Sequence, residues 1–219
     1  MNKFVSVRVW GHGLSHPIYV AQDLPDVQIL LSEGKVPEAC IALWRRASLG
    51  SDAAAALLGY MNLRHVVPDG VEPSEVTQRC VDAANRNDGF ALYVVAWQAY
   101  EMGDPQTYAK WLERSARQRF LPAIADVARY AMQTPGPTVA VRRVAKKSFW
   151  IAFRRGHVIS ASYFFRCCAK GQFGFHYRLL GLVGFPLSLI ALLPIVKLYP
   201  FSIGVFSYPV GTKKPLFSS

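Results

Sequence analysis

The residues of this 219-residue chain whose types could do chemistry are 5 histidines, 4 cysteines and 14 carboxylates. His12 and His16 stand four apart, a spacing that aligns two metal ligands on a helix, but Gly13 and Pro17 argue against the helix and no third ligand lies near. Ser15 beside His16 is a chance neighbour, since a nucleophile and its base meet in space rather than by adjacency. The Gly-His-Gly run is no phosphate loop, and both glycine-rich nucleotide motifs are absent. Asp23 with Asp26, and Asp69 with Glu72, flank prolines, where carboxylates commonly serve as caps and turn residues. Cys40, Cys80, Cys167 and Cys168 form no Cys-x-x-Cys pair, which argues against a zinc site or a disulfide framework. They read as reduced thiols on a cytosolic face. No catalytic, cofactor-binding or metal-binding residue is expected, and the chain reads as a non-enzyme.

Charge is more informative. Residues 1–138 hold 13 Lys and Arg against 14 acids, whereas residues 139–219 hold 12 Lys and Arg and no acid at all. Such asymmetry calls for an anionic partner at the C-terminal end. Residues 139–155 read as an amphipathic helix on which Arg142, Arg143, Lys146, Lys147, Trp150 and Arg154 share an arc of about 140°. Val141, Val144, Ala145, Phe149, Ile151 and Ala152 cover its other side. After Gly156-His157, residues 158–170 form a second helix. Arg155, Arg166, Lys170 and Arg178 extend the basic set, interleaved with aromatics such as Phe153, Tyr163, Phe164 and Tyr177. Cations and aromatics directly before an apolar stretch are what an anionic leaflet attracts. The same composition suits a stacking platform for nucleic acid, which is the alternative reading.

The apolar stretch is residues 179–212, whose single charge is Lys197. Its first 18 residues would reach about 27 Å as a helix, close to the roughly 30 Å of a bilayer core. Pro186, Pro194 and Pro200 interrupt it, so a re-entrant hairpin stands beside a span as an expectation. Residues 213–219 form a basic tail.

The elements that must carry these surfaces repeat. Ala47, Ala84 and Ala116 form one column, Ala54, Ala91 and Ala123 a second, and Leu58, Val95 and Val127 a third, at steps of 37 and 32 residues. Within each copy the columns lie 7 and 4 residues apart, which is one face of a helix. Small residues in two columns let helices approach closely, and a larger aliphatic fills the seam. Gly50, Asn87 and Gly103 fall where a helix must end. The pattern resembles the Sel1-like branch of the tetratricopeptide repeats, loosely W-x-x-x-A-A-x-x-G-x-x-x-A-x-x-x-L-G-x-x-Y. Ala47, Gly50, Ala54, Leu58 and Gly59 match in the first copy, Ala83, Ala84 and Ala91 in the second, and Trp111, Ala116 and Ala123 in the third. Tyr163, Cys167, Cys168 and Gly171 echo the same motif as a divergent last copy.

The expected architecture is all-α. An extended arm or short strand (1–33) precedes helix-pair repeats (34–132) and a Pro/Gly linker (133–138). A basic aromatic hairpin (139–178) then leads to a hydrophobic membrane segment (179–212). The resemblance implies an adaptor that gathers proteins in a groove. Tyr60, Trp97, Tyr100 and Tyr130 are the candidate anchors, expected on a concave face built from the first helix of each pair. With the basic and apolar C-terminal third, the expectation is a membrane-anchored scaffold. What the resemblance implies for its setting is an accessory subunit of a bacterial envelope complex, at the inner membrane with its repeats facing the cytoplasm. Protein partners and anionic lipids are the expected ligands, with a soluble nucleic-acid-binding protein as the alternative.

Overall fold

The same local event closes helix after helix. At Gly50, Asn87, Gly103, Arg119 and Gly171 the backbone turns left-handed, with φ between 62° and 92°. Each time two backbone bonds seal the helix end, as in Gly50 N–H to Ala47 O and Ser51 N–H to Arg46 O. This doubly bonded stop satisfies carbonyls that a helix end leaves open. Asn87 and Arg119 adopt it despite carrying a Cβ. The next helix starts at once: Asp88 accepts from Ala91 N at 2.8 Å, and Asp104 from Gln106 N and Thr107 N at 3.1 and 3.0 Å. Pro25, Pro37, Pro73 and Pro105 occupy first-turn positions, where no N–H is needed.

The computed structural model describes residues 24–33, 35–63, 67, 71–133, 136–154 and 157–198, without the side chains of 28, 32, 158, 159 and 191–198. Among the described residues the fold is all-helical, with α1 Pro25–Ser32, α2 Val36–Ser48, α3 Asp52–Leu63, α4 Pro73–Asn85 and α5 Gly89–Glu101. There follow α6 Pro105–Arg117, α7 Leu121–Gln133, α8 Val139–Arg154, α9 Val158–Ala169 and α10 Phe175–Leu198. Each helix packs on its successor, and α3 also packs directly on α5.

The columns do what their residue types require. Ala54, Ala91, Ala123, Leu58 and Ala84 are fully buried, Ala47 and Val95 nearly so, and Ala116 and Val127 are half-buried. Within the repeats the closest approach is at Gly59, where an added Cβ would lie 2.7 Å from Cys80 Sγ. One core runs from Leu24 to Ala123, and a second gathers Ala128, Met132, Ala145, Phe149, Phe164 and Cys168. Polar straps link successive repeats: Arg46 to Asp26, Arg86 to Asp52, and Arg114 to Asn87 Oδ1 at 3.0 Å. Exposed pairs of this kind add at most about 1 kcal/mol each, so the apolar seams dominate.

Two expectations change. Residues 25–32 form α1 rather than extended chain, because Leu24, Val27, Leu30 and Leu31 recur at helical spacing and pack on the first core. The reading of residues 1–23, with His12 and His16, lies outside the described residues. On α8, Val144 is 65% exposed rather than on the buried side, because the core takes only Ala145, Phe149 and Ala152.

Ala91→Phe should overpack the seam and cost roughly 1–3 kcal/mol in a denaturant titration. An unchanged midpoint would mean the column is not a contact. A second measurement concerns His157, which is buried with Nδ1 2.5 Å from Ser160 Oγ. Burial pushes its pKa down to about 3. Below about pH 6.5 the unfolded chain binds a proton that the folded chain refuses, so stability falls as pH drops from there towards 3. Between pH 7 and 5 the native chain should lose about 2 kcal/mol more than His157→Gln. Equal losses would show that the folded protein protonates His157 normally.

Candidate functional site

Two surfaces are built well enough to act, an aromatic row on the repeats and a basic and apolar face on the last three helices. Tyr60 stands on α3, Trp97 and Tyr100 on α5, and Tyr130 on α7, the helix after the tight turn in each copy. The expectation placed them on the first helix of each pair; they occupy the second. The reason is spacing. They follow the buried Ala54, Ala91 and Ala123 columns by six to nine residues, whereas Trp44 and Trp111 hold the other row. There Arg79 covers Trp44 at 4.8 Å and Arg114 covers Trp111 at 4.6 Å.

The aromatic row is continuous. Tyr60 meets Phe90 at 6.2 Å, Phe90 stacks on Phe120 at 5.5 Å, and Phe120 meets Tyr93 at 5.2 Å. Trp97 then touches Tyr93, Tyr100 and Tyr108 edge-on at 6.2, 5.3 and 5.7 Å, and Tyr108 touches Tyr130 at 5.9 Å. Edge-to-face contacts suit ring quadrupoles and hold each ring in one orientation. Tyr60 is buried, and so serves the packing. Trp97, Tyr100 and Tyr130 are half-buried, each with one side locked in the row.

Beneath the row lies a buried carboxylate. Asp126, the last acid in the chain, accepts from Tyr93 Oη at 2.7 Å and from Arg129 Nε at 3.0 Å. Burial and the neighbouring carboxylate push the Tyr93 hydroxyl well above its ordinary pKa. Arg129 also lies over the Tyr163 ring at 5.6 Å, which ties α9 to the third copy. No composition signal distinguishes this acid from the others. Its position in a column of small residues is the only hint.

The basic set divides. Arg143, Lys147, Trp150, Arg154, Arg166, Lys170 and Arg178 are exposed, while Arg142 and Lys146 are half-buried. Arg142 donates from Nε to Pro137 O at 2.9 Å, and Lys146 Nζ lies 3.3 Å from Tyr177 Oη and 4.6 Å from that ring's centre. Both therefore act first within the fold. Arg155 lies outside the described residues. Trp150 is 46% exposed and sits against Phe153 and Phe164.

Helix α10 is apolar on nearly every side yet packed on only one. Tyr177, Gly181, Gly184 and Ser188 form its inward stripe; a Cβ at Gly181 would strike the Cys168–Ala169 backbone, and one at Gly184 the Phe165 ring. Away from that stripe, Leu179, Leu182, Val183, Leu187 and Ile190 are between 57% and 66% exposed. Over the described residues no helix is long and apolar enough to cross a membrane. Residues 199–212 of the expected membrane segment lie outside them.

Cys40, Cys80 and Cys168 are buried, Cys167 is half-buried, and none forms a disulfide. Burial pushes the Cys40, Cys167 and Cys168 thiols up to about 11 and Cys80 further still, so none is an activated nucleophile. Among the described residues no group of three or more His, Cys, Asp or Glu side chains is arranged to hold a metal.

No family model matches the chain, and no curated protein matches it. A crystal structure of a Sel1 repeat protein from Oxalobacter formigenes is similar to it at a TM-score of 0.56 and 17% identity. The match covers 92% of this chain and 96% of that one. The fold is a Sel1-like solenoid of helical repeats.

Proposed function

We propose that the chain is a non-enzymatic adaptor whose repeats dock a protein partner and whose last three helices hold it against an anionic membrane. The observation that carries the docking half is the interlocked aromatic row. Trp97, Tyr100 and Tyr130 each present a partly exposed ring that loses little freedom on binding, which is the character of binding hot spots. Tyr60 belongs to the packing of the row rather than to the contact. The membrane half is supported by the exposed apolar sides of α10 and by the exposed cations of α8 and α9. The same third of the chain holds no acid to oppose anionic headgroups. An accessory role in a bacterial envelope complex, at the inner membrane with the repeats in the cytoplasm, follows as the setting of such an adaptor.

Crosslinking in whole cells, purification from detergent-solubilised membranes and identification of the captured protein would supply a partner. Trp97→Ala, Tyr100→Ala and Tyr130→Ala should then each lower its recovery about tenfold or more, with smaller changes in melting temperature. Recovery that falls only in proportion to folded protein would assign these rings to packing alone.

For the membrane half, the full chain should sediment with membranes and stay there in a high-salt wash. A chain truncated after Gln133 should remain in the supernatant. Full-length protein that stays soluble without detergent, and binds RNA in a salt-sensitive way, would instead favour the nucleic-acid reading.

A further inference from the structure

We propose that the α9–α10 hairpin lies flat in the interface of an anionic bilayer, with α10 as its lipid-facing edge, and does not cross the membrane. This rests on the membrane association proposed above and adds its geometry.

The direction of the hairpin comes from its glycine contacts. Gly181 meets α9 at Cys168 and Ala169, and Gly184 meets it at Phe165. As α10 advances by three residues its contact on α9 retreats by three or four, so the two helices run antiparallel. Extended at that register, the start of α9 at Val158 lies level with residue 191. Glycine at both positions brings the helices closer than any side chain would allow.

The cations stand at both ends of this hairpin. At the turn end are Arg166, Lys170 and Arg178, all exposed. At the other end α8 finishes at Arg154, three residues before His157 and the start of α9, and Arg154 is exposed too. If α10 stood along the bilayer normal, one end would sit at the headgroups and the other would carry Arg154 deep into hydrocarbon. Isolated cations at that depth are costly. With the hairpin parallel to the surface, both cationic ends reach anionic headgroups while the exposed sides of α10 enter the acyl region. Trp150, in tilted contact with Phe153 and Phe164, is the residue type that settles at that level.

The occupant of the apolar face is lipid rather than a protein surface because of what surrounds it. Every charged residue from 139 to 219 is a cation, and residues 199–212 carry no charge at all. A second copy of this chain would bring the same cations face to face.

Depth measurement in the full chain tests this. Leu179→Cys, Val183→Cys and Ile190→Cys place thiols on the exposed face. These label at neutral pH far faster than Cys40, Cys80, Cys167 and Cys168, whose thiols burial suppresses. An environment-sensitive fluorophore at each site is then quenched with brominated lipids in vesicles of equal phosphatidylglycerol and phosphatidylcholine. All three should lie at one depth, about 5–10 Å below the phosphates. A graded series, with residue 190 about 16 Å deeper than 179, would establish a crossing helix and overturn the flat arrangement while leaving membrane association intact. Absence of quenching together with absence of co-sedimentation would overturn both. A stable dimer without vesicles, with all three labels shielded, would show that a second copy covers the face and would equally overturn the proposal.

Discussion

How closely two helices can approach sets everything else in this molecule. Alanine at 54, 91 and 123, glycine at 59 against Cys80, and glycine at 181 and 184 against α9 remove the side-chain bulk that would hold the axes apart. At that separation dispersion contacts are dense and nearly dry, and one added methylene is felt. The left-handed stops serve the same end. A chain that leaves one helix and enters the next within three residues keeps consecutive helices close enough for small residues to meet. Without close approach, the large rings would have no common row to join.

The aromatic row and the Asp126 node are consequences of that stacking. Rings from α3, α5, α6 and α7 reach one another only because the backbones beneath them are close. Tyr93, Asp126, Arg129 and Tyr163 then tie the second and third copies to α9 through a buried polar chain. Each member is satisfied by the next, so the chain fixes how the C-terminal helices sit on the repeats without leaving a bare charge inside. A rigid connection of this kind would fix how the aromatic row faces when α10 rests on a surface.

Much of the repeat architecture was legible because alanine columns at 37- and 32-residue steps leave a periodic trace. Gly50 and Gly103 announced their turns by residue type. Arg119 did not, since nothing in an arginine signals a left-handed turn, and only its place one period beyond Asn87 could have pointed to it. The aromatic anchors were visible as residues but not by helix, because periodicity fixes a face without saying which helix of a pair carries it. The exposure of Val144 is not legible, because a hydrophobic residue on a basic helix looks inward until the width of the buried stripe is known. Gly181 and Gly184 were hidden inside an apolar run, where hydropathy masks the packed stripe and suggests only a membrane. The helix at 25–32 leaves little trace in the sequence, because its apolar periodicity covers only about two turns.

The central claim is that close approach at Gly181 and Gly184 packs α10 onto the stack as firmly as the repeats pack on one another. Hydrogen exchange of the full-length chain in a mild non-ionic detergent, followed amide by amide and without anionic lipid, tests it most directly. The account predicts slow exchange across residues 181–188, within about tenfold of the core of α5, and selective loss of that protection in Gly181→Leu. Rapid exchange of 181–188 in the native chain, while α2–α7 stay protected, would contradict it and leave α10 as a separate segment.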